Sequence, residues 1–525
     1  MTSLVVSGNR LKLTGVTSSY FYSQFNCIAA TNTYGGIGLR IKAAAGVKFS
    51  VQLESSSTCT ESTQTVLRTT TQLGWTFDGT EKFYSIPFSL YTGLDLTKLN
   101  AILFTAQTGV ITLGPMAFYC GNTASEYVLP TTPTAPTSAV VTVPATTATA
   151  AAFVIDQFAS STSNALGFWH GGDDDTGLSY SNGKLTIAYT DSDYAYYTQM
   201  TATCRDITTY QNAYIHIAYT GSAKFSIALQ QHNSGCNDAI SPYPETWDEV
   251  YAANYASGGN IYVPIAHFDI VKTRAIGIAL KGFANDAPTV LSKIEIVQSI
   301  PAGFKMPARI PTAKLVFACT RPNSFAFAID DGDPMYAQQV LQTIKAANIK
   351  VTFFTVGAPL LDAGTNLSSV YREMLSEGHQ VALHSFTHPK MEGLATVADI
   401  DWELDNDIAA VQKTLGISST YFRPPFGNTG ARFRERVAAK LGAAATIVNW
   451  SVDVQDWLWG TSSTPEKQLA AFTADVAKGG NLVVLHYLYP STVGYLEQFI
   501  NLAKATGKQL MRVDQCMMDP NAPPL

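Results

Sequence analysis

A chain of 525 residues is too long for one hydrophobic core, so two to four domains are expected. Charged residues make up only 14%, and the formal net charge is −6 without any Lys/Arg run. This argues against nucleic acid and acidic membrane surfaces as partners and suits a neutral polymer; no apolar stretch is long enough to cross a bilayer.

The chain begins Met1-Thr2-Ser3-Leu4-Val5-Val6, without the basic and long apolar regions of a secretory signal. The cysteines nonetheless point to an oxidising compartment, so a mature or trimmed form whose leader is missing is expected. Cys27 and Cys59 recur as Cys204 and Cys236 at one common displacement. Nearby, Lys48-Phe49-Ser50-Val51-Gln52-Leu53 reappears as Lys224-Phe225-Ser226-Ile227-Ala228-Leu229, and Ser85-Ile86-Pro87-Phe88 as Tyr262-Val263-Pro264-Ile265. Two copies of one module account for this, each closed by its own bridge, Cys27–Cys59 and Cys204–Cys236. Cys319 and Cys516 lie just inside the ends of the C-terminal region, where a bridge would staple its termini, and Cys120 is left over. Bridges of this kind predict a secreted protein, extracellular or in a cell wall.

In chain order, residues 1–121 alternate short apolar strands with Gly, Asn and Ser turns, the pattern of an antiparallel β-sandwich of jelly-roll type. Residues 122–150 are rich in Thr, Pro and Ala and read as an extended linker. Residues 151–300 form the second copy. It opens with Val154-Ile155-Asp156-Gln157-Phe158, which has no counterpart in the first; that copy begins near Arg10-Leu11-Lys12-Leu13 and is expected to lack an N-terminal strand. Tyr243 and Trp247 fall in a Pro-rich loop after Cys236, suited to stacking on sugar faces if exposed and to core packing if not. Asp173-Asp174-Asp175 reads as a solvated turn in preference to a Ca²⁺ site.

Residues 301–525 change character. Strand-like runs at 325–329, 351–354 and 381–383 alternate with helical spacing at 336–347 and 368–377. Short connections between them predict a parallel α/β fold, a deformed (β/α) barrel, with functional residues at the C-terminal ends of strands. Asn366-Leu367-Ser368 is an N-glycosylation acceptor sequence.

Polar clusters follow those strands. Asp330-Asp331-Gly332 closes one, and His384-Ser385-Phe386-Thr387-His388 follows another. Carboxylates and histidines converging at a barrel mouth form a site for a borderline metal with positions left open, as hydrolysis needs. Alone, each cluster is weak: Asp-Asp-Gly is usually a turn, and paired histidines are often satisfied by backbone carbonyls. Three further segments accompany them: Tyr421-Phe422-Arg423-Pro424-Pro425-Phe426-Gly427, then Asn449-Trp450-Ser451-Val452-Asp453-Val454-Gln455-Asp456-Trp457, then Leu482-Val483-Val484-Leu485-His486.

In order and spacing, these five segments resemble carbohydrate esterase family 4, the NodB-type polysaccharide deacetylases. Within it they look most similar to fungal chitin deacetylases, whose end-joining bridge the positions of Cys319 and Cys516 match. The resemblance implies an enzyme, a hydrolase of carbon–nitrogen bonds other than peptide bonds, with Asp330 as general base and Asp331, His384 and His388 as metal ligands. Arg423 would orient Asp330, and the backbone N–H of Phe426 would donate to the oxyanion. His486 would be the general acid with Asp456 as its partner, preferred over Asp453. Trp457 and Val484 would wall the acetyl pocket. Zn²⁺ is the expected metal, with Co²⁺ or Ni²⁺ tolerated.

Departures from the family pattern are Ala328-Ile329 before the Asp pair, Asp333 inserted before Pro334, and Tyr487 after His486. Asp333 and Tyr487 are expected to flank the cleft, with Tyr487 touching substrate. The expected substrate is a chitin-like N-acetylglucosamine polymer, with cell-wall glycan binding by the upstream modules and a monomeric chain. An esterase acting on O-acetylated xylan is the alternative within the class. A non-catalytic wall-binding protein is the alternative outside it.

Overall fold

The computed structural model describes residues 3–7, 10–15, 19–30, 34–56, 64–106, 109–120, 124, 152–283 and 287–525. The linker expected at 122–150 and the Cys27–Cys59 pairing lie outside these residues, as does the Cys120 side chain.

The chain divides into two compact units, 1–134 and 135–525. In the first, one antiparallel sheet runs in the order Ser3–Ser7, Arg10–Gly15, Gly109–Cys120, Tyr34–Ala43, Glu81–Pro87. A second runs Ser19–Ile28, Leu99–Ala106, Phe49–Ser55, Gln64–Thr69. Alternate residues of both, among them Ile37, Leu39 and Ile41 from one and Val51, Leu53 and Phe104 from the other, fill a single core.

The second unit repeats this plan. One sheet runs Leu178–Ser181, Lys184–Ile187, Thr289–Val297, Tyr214–Gly221, Asn260–Pro264, and the other His170–Gly172, Ala195–Gln199, Ala275–Lys281, Ser226–Gln231, Thr246–Tyr251. Strand for strand the order matches the first unit. Among the described residues three strands are additional here: Phe153–Asp156, which pairs Thr289–Val297, His170–Gly172 at one sheet edge, and Ala256–Ser257, which pairs Asn260–Pro264. Cys204 and Cys236 are bonded.

The remainder is a curled parallel sheet in the order Lys314–Val316, Thr446–Val448, Tyr421–Phe422, Gln380–Leu383, Thr352–Thr355, Ser324–Gly332, Leu482–Tyr487, Val452–Asp453. Helices Pro334–Ala346, Leu367–Ser376, Val397–Leu415, Ala431–Leu441, Lys467–Ala477 and Pro490–Ala505 are among those connecting its strands. Strand alternation sorts the apolar residues into two cores. Phe325, Phe327 and Ile329 join the larger one, together with buried residues of these helices, while Ala326 and Ala328 join a smaller one inside the curl. Small residues there leave room above them for Arg423. The Cys319–Cys516 bridge ties the two ends of this region together, across 197 residues.

The second pair of sheets is joined to the curled sheet by buried polar contacts. Arg434, only 3% exposed, pairs with Asp248 at 3.4 Å and Glu249 at 3.3 Å and donates to the Trp247 carbonyl. Thr246 Oγ1 donates to the Leu315 carbonyl, and the Asn428 amide reaches Ser192 and Asp193. Lys390 pairs with both Asp191 and Asp193.

Candidate active site

The strand Ser324–Gly332 carries an irregularity where it matters. Asp330 pairs in register with His486, but Gly332 pairs with Tyr487, so Asp331 is an extra residue in the ladder. A bulge of this kind re-aims a side chain. Without it, adjacent acids would point to opposite faces; with it, Asp330 and Asp331 both approach His384, whose Nε2 lies 3.7 Å from each.

His384 and His388 sit on a loop held from behind. The long helix Val397–Leu415 presents Glu403 and Asp407, one turn apart and both buried. Glu403 accepts from the backbone N–H groups of Phe386 and Thr387 and from the Thr387 hydroxyl. Asp407 accepts from the His384 N–H at 3.0 Å. With this clamp, Ser385 and His388 are held at φ 67°, a left-handed conformation that is costly for residues other than glycine. Sequence reasoning missed both acids. Their i, i+4 spacing on the buried face of an amphipathic helix was the available signal.

Asp331, His384 and His388 each bring a ligand atom to within 4.8 Å of the others. His384 Nδ1 lies 2.7 Å from the Arg423 carbonyl, an acceptor, so Nδ1 carries the proton and Nε2 carries a lone pair. Burial pushes His384 down to about 3, keeping it neutral. Its Nε2 and Asp331 Oδ1 are both buried without a hydrogen-bond partner, two acceptors facing each other. A cation between them resolves that conflict. Two imidazoles and one carboxylate suit Zn²⁺, so the residues fit the metal that the family pattern implies.

Arg423, fully buried, crosses the inside of the curl above Ala328. Its Nη1 meets Asp330 Oδ1 at 2.6 Å, and it also donates to the carbonyls of Ala328, Val448, Asn449 and Val483. Burial raises Asp330 above the usual carboxylate range, and the Arg423 charge works against that rise.

On the adjoining strand, His486 Nδ1 meets Asp456 Oδ1 at 2.9 Å, and the His486 backbone N–H donates to Asp456 Oδ2 at 2.7 Å. Burial alone would lower His486. The charge and hydrogen bond of Asp456, joined by Asp330 and Asp331, raise it to about 10. Asp453 instead accepts from Gln455 N–H. Phe426 has φ 60° and lies 4.9 Å from the His388 ring, centroid to centroid. Trp457 is 63% exposed at the rim, and Val484 is buried on the face of its strand that carries His486.

Two expectations are corrected. Tyr487 does not flank the cleft: it follows His486 directly, so alternation turns it into the outer core. It is 1% exposed, lies over Gly332, and meets the Tyr371 hydroxyl at 2.9 Å. Asp333 is a helix cap, accepting from Met335 N–H just ahead of Pro334, and not a cleft residue.

Residues 318–446 match the family model described as polysaccharide deacetylase, a NodB-type domain of carbohydrate esterase family 4. Over 221 residues the chain is 30% identical to a peptidoglycan-N-acetylglucosamine deacetylase of Listeria monocytogenes, covering 41% of this chain and 42% of that protein. Over 216 residues it is 29% identical to a chitin deacetylase of Pestalotiopsis sp, covering 41% of this chain and 70% of that one. The chain thus spans less than half the length of the Listeria relative. Among solved structures, the chitin deacetylase of Colletotrichum lindemuthianum matches 40% of this chain and 95% of its own at 22% identity, with a TM-score of 0.37.

Proposed function

We propose that the chain is a metal-dependent deacetylase that releases acetate from the N-acetyl groups of an N-acetylglucosamine polymer, chitin or its oligomers. One observation carries the reading: the facing, unpartnered acceptors of Asp331 and His384 lie beside both a buried acid held by arginine and a histidine held by aspartate. The polymer is suggested by the relatives, whose names specify chitin and peptidoglycan N-acetylglucosamine.

A Zn²⁺ ion held by Asp331, His384 and His388 would supply Lewis acidity toward water and the acyl oxygen. Asp330 takes the proton of the attacking water, oriented by Arg423. The Phe426 N–H donates to the oxygen that gains charge. His486, protonated at neutral pH through Asp456, gives its proton from Nε2 to the departing amine. Trp457 and Val484 shape the pocket for the acetyl methyl. In the same reading, residues 1–121 and 151–300 are jelly-roll-like glycan-binding modules and the protein acts as a monomer outside the cell. The Cys204–Cys236 and Cys319–Cys516 bridges support that location.

The test is acetate release from chitin oligomers, peptidoglycan and acetylxylan, with and without chelator and with Asp330→Asn as control. Release from the first two that chelator abolishes and Zn²⁺ restores supports the reading. Release that neither chelator nor the substitution alters sinks it.

A further inference from the structure

The edge-to-edge face of one sheet in the second unit carries a site outside the metal centre. A cavity of about 240 Å³, open along one side, is lined by Trp169, Tyr197, Gln199, Gln230, Tyr243 and Trp247, with Ala279 and Lys281 among its other neighbours. These residues come from every strand of the sheet, or from the segment next to it. Trp247 lies on the strand Thr246–Tyr251 itself and not in the preceding loop, and only Tyr243 is a loop residue. Across five strands at ~4.8 Å spacing the row spans about 19 Å, longer than a single sugar ring.

Its chemistry is selective. Trp169 is 48% exposed and Tyr243 is 38% exposed, so both ends of the groove present an aromatic group to solvent. Trp169 is stacked on Tyr197 at 6.1 Å and 29°, and the Tyr197 hydroxyl is tied to Asp173, so this platform is fixed in orientation. At the other end Trp247 Nε1 is a buried donor without an acceptor. Amides of Gln199 and Gln230 lie between the aromatic ends, and both can donate and accept. The single charged group, Lys281, is committed: it lies over the Trp247 ring at 4.4 Å and donates to Thr429 Oγ1. Flat apolar platforms, amide groups and no exposed charge match the faces and hydroxyls of a neutral pyranose chain. An acidic polymer or a nucleic acid would find no free cation here.

The geometry points to a second carbohydrate site, which takes a run of neutral pyranose rings from the same polymer that the metal centre works on. The identity of the polymer rests on the function proposed above; the existence of the site does not. Lys281 contacts Thr429, three residues beyond Phe426, and Asp191 and Asp193 hold Lys390, two residues beyond His388. The groove therefore belongs to the same body as the catalytic loops, at a fixed offset from them. On the corresponding strand of the first unit, Tyr20 and Tyr22 are 58% and 52% exposed, so the test must read the second unit by position.

Hydroxyl-radical footprinting of the full chain carrying Asp330→Asn does so, with N-acetylglucosamine hexaose, cellohexaose and xylohexaose at millimolar concentration. Protection of Trp169 and Tyr243 by any of these hexaoses is expected, and protection by none overturns the site. Protection by a hexaose with no acetate release from any polymer upholds the site while sinking the catalytic reading. Where acetate is released, Trp169→Ala/Tyr243→Ala is expected to raise KM for the polymer about three- to tenfold, with kcat and the rate on the disaccharide unchanged. Both residues are surface-exposed, so the fold should persist, and an unaltered melting temperature checks this. Unchanged KM on the polymer in the folded double variant also overturns the proposal.

Discussion

Arg423 Nη1 donates to Asp330 Oδ1 at 2.6 Å, and the four remaining N–H groups of the same guanidinium are each taken by a main-chain carbonyl. No donor is spare. A lysine has three donors on a flexible stem and cannot reproduce the fork. Arg423→Lys is expected to leave carbonyls unpaired in the core and to cost about 3–5 kcal/mol, the range for breaking a buried pair. Chemical denaturation reads that loss. In whatever folds, the opposing charge moves off Asp330 and burial raises that carboxyl further. The acid limb of the pH–rate profile should then shift to higher pH.

Replacing Asp456 by Asn tests His486. Burial lowers this imidazole, and Asp456 is the largest influence raising it to about 10. Because the folded value is raised, the pair contributes stability that is fully present below about 6.5 and is lost as pH rises through about 10. In Asp456→Asn that contribution vanishes, and the difference in melting temperature from the parent should be greatest below pH 6.5 and shrink toward pH 10. The alkaline limb of the activity profile should move down by several pH units. A limb that stays in place would remove His486 from the role of acid.

Metal content offers a measurement independent of turnover. His388 is partly exposed and contacts the site from its edge, so His388→Ala should fold while losing most of its Zn²⁺. Mass spectrometry of the native protein should give one ion per parent chain and well under one for the variant. Added Zn²⁺ at about 100 times its dissociation constant should stabilise the parent by about 2.7 kcal/mol and the variant much less.

Glu403 is predicted to tune the same equilibrium from outside the ligand set. It holds the Phe386 and Thr387 amides and so the curve of the loop between the two histidines. Glu403→Gln keeps the shape and weakens the charge-assisted bonds. A fall of about 10- to 100-fold in Zn²⁺ affinity is expected by titration calorimetry, at nearly unchanged melting temperature.

Much of this was legible before any coordinates. Strand and helix periods in 311–525 are strong, and Asp330, Asp331, His384, His388, Arg423 and His486 stand at strand ends where short polar runs interrupt apolar ones. The direction in which Asp331 points was not legible, because a single extra residue there decides which partners face each other across two strands, whereas that of Tyr487 follows from alternation after His486. The clamp by Glu403 and Asp407 left a weaker trace, since acids on a helix usually face water and only their spacing with Ile400, Leu404 and Val411 sets these two on the buried face. Contacts such as Arg434 with Asp248 join residues far apart in sequence and leave no local trace.

That last contact changes what a boundary near residue 300 means. By composition the seam divides β-rich sequence from alternating β and α sequence, and recombination or proteolysis would be expected to part them cleanly. Yet Arg434 is nearly out of reach of solvent, and its carboxylate partners Asp248 and Glu249 lie on the other side of the seam. A chain cut there would strip the Arg434 guanidinium of both carboxylates and leave it the Ala313 carbonyl alone. The two parts thus share one polar seam, and parting them would open Arg434, Asp248 and Glu249 to water together.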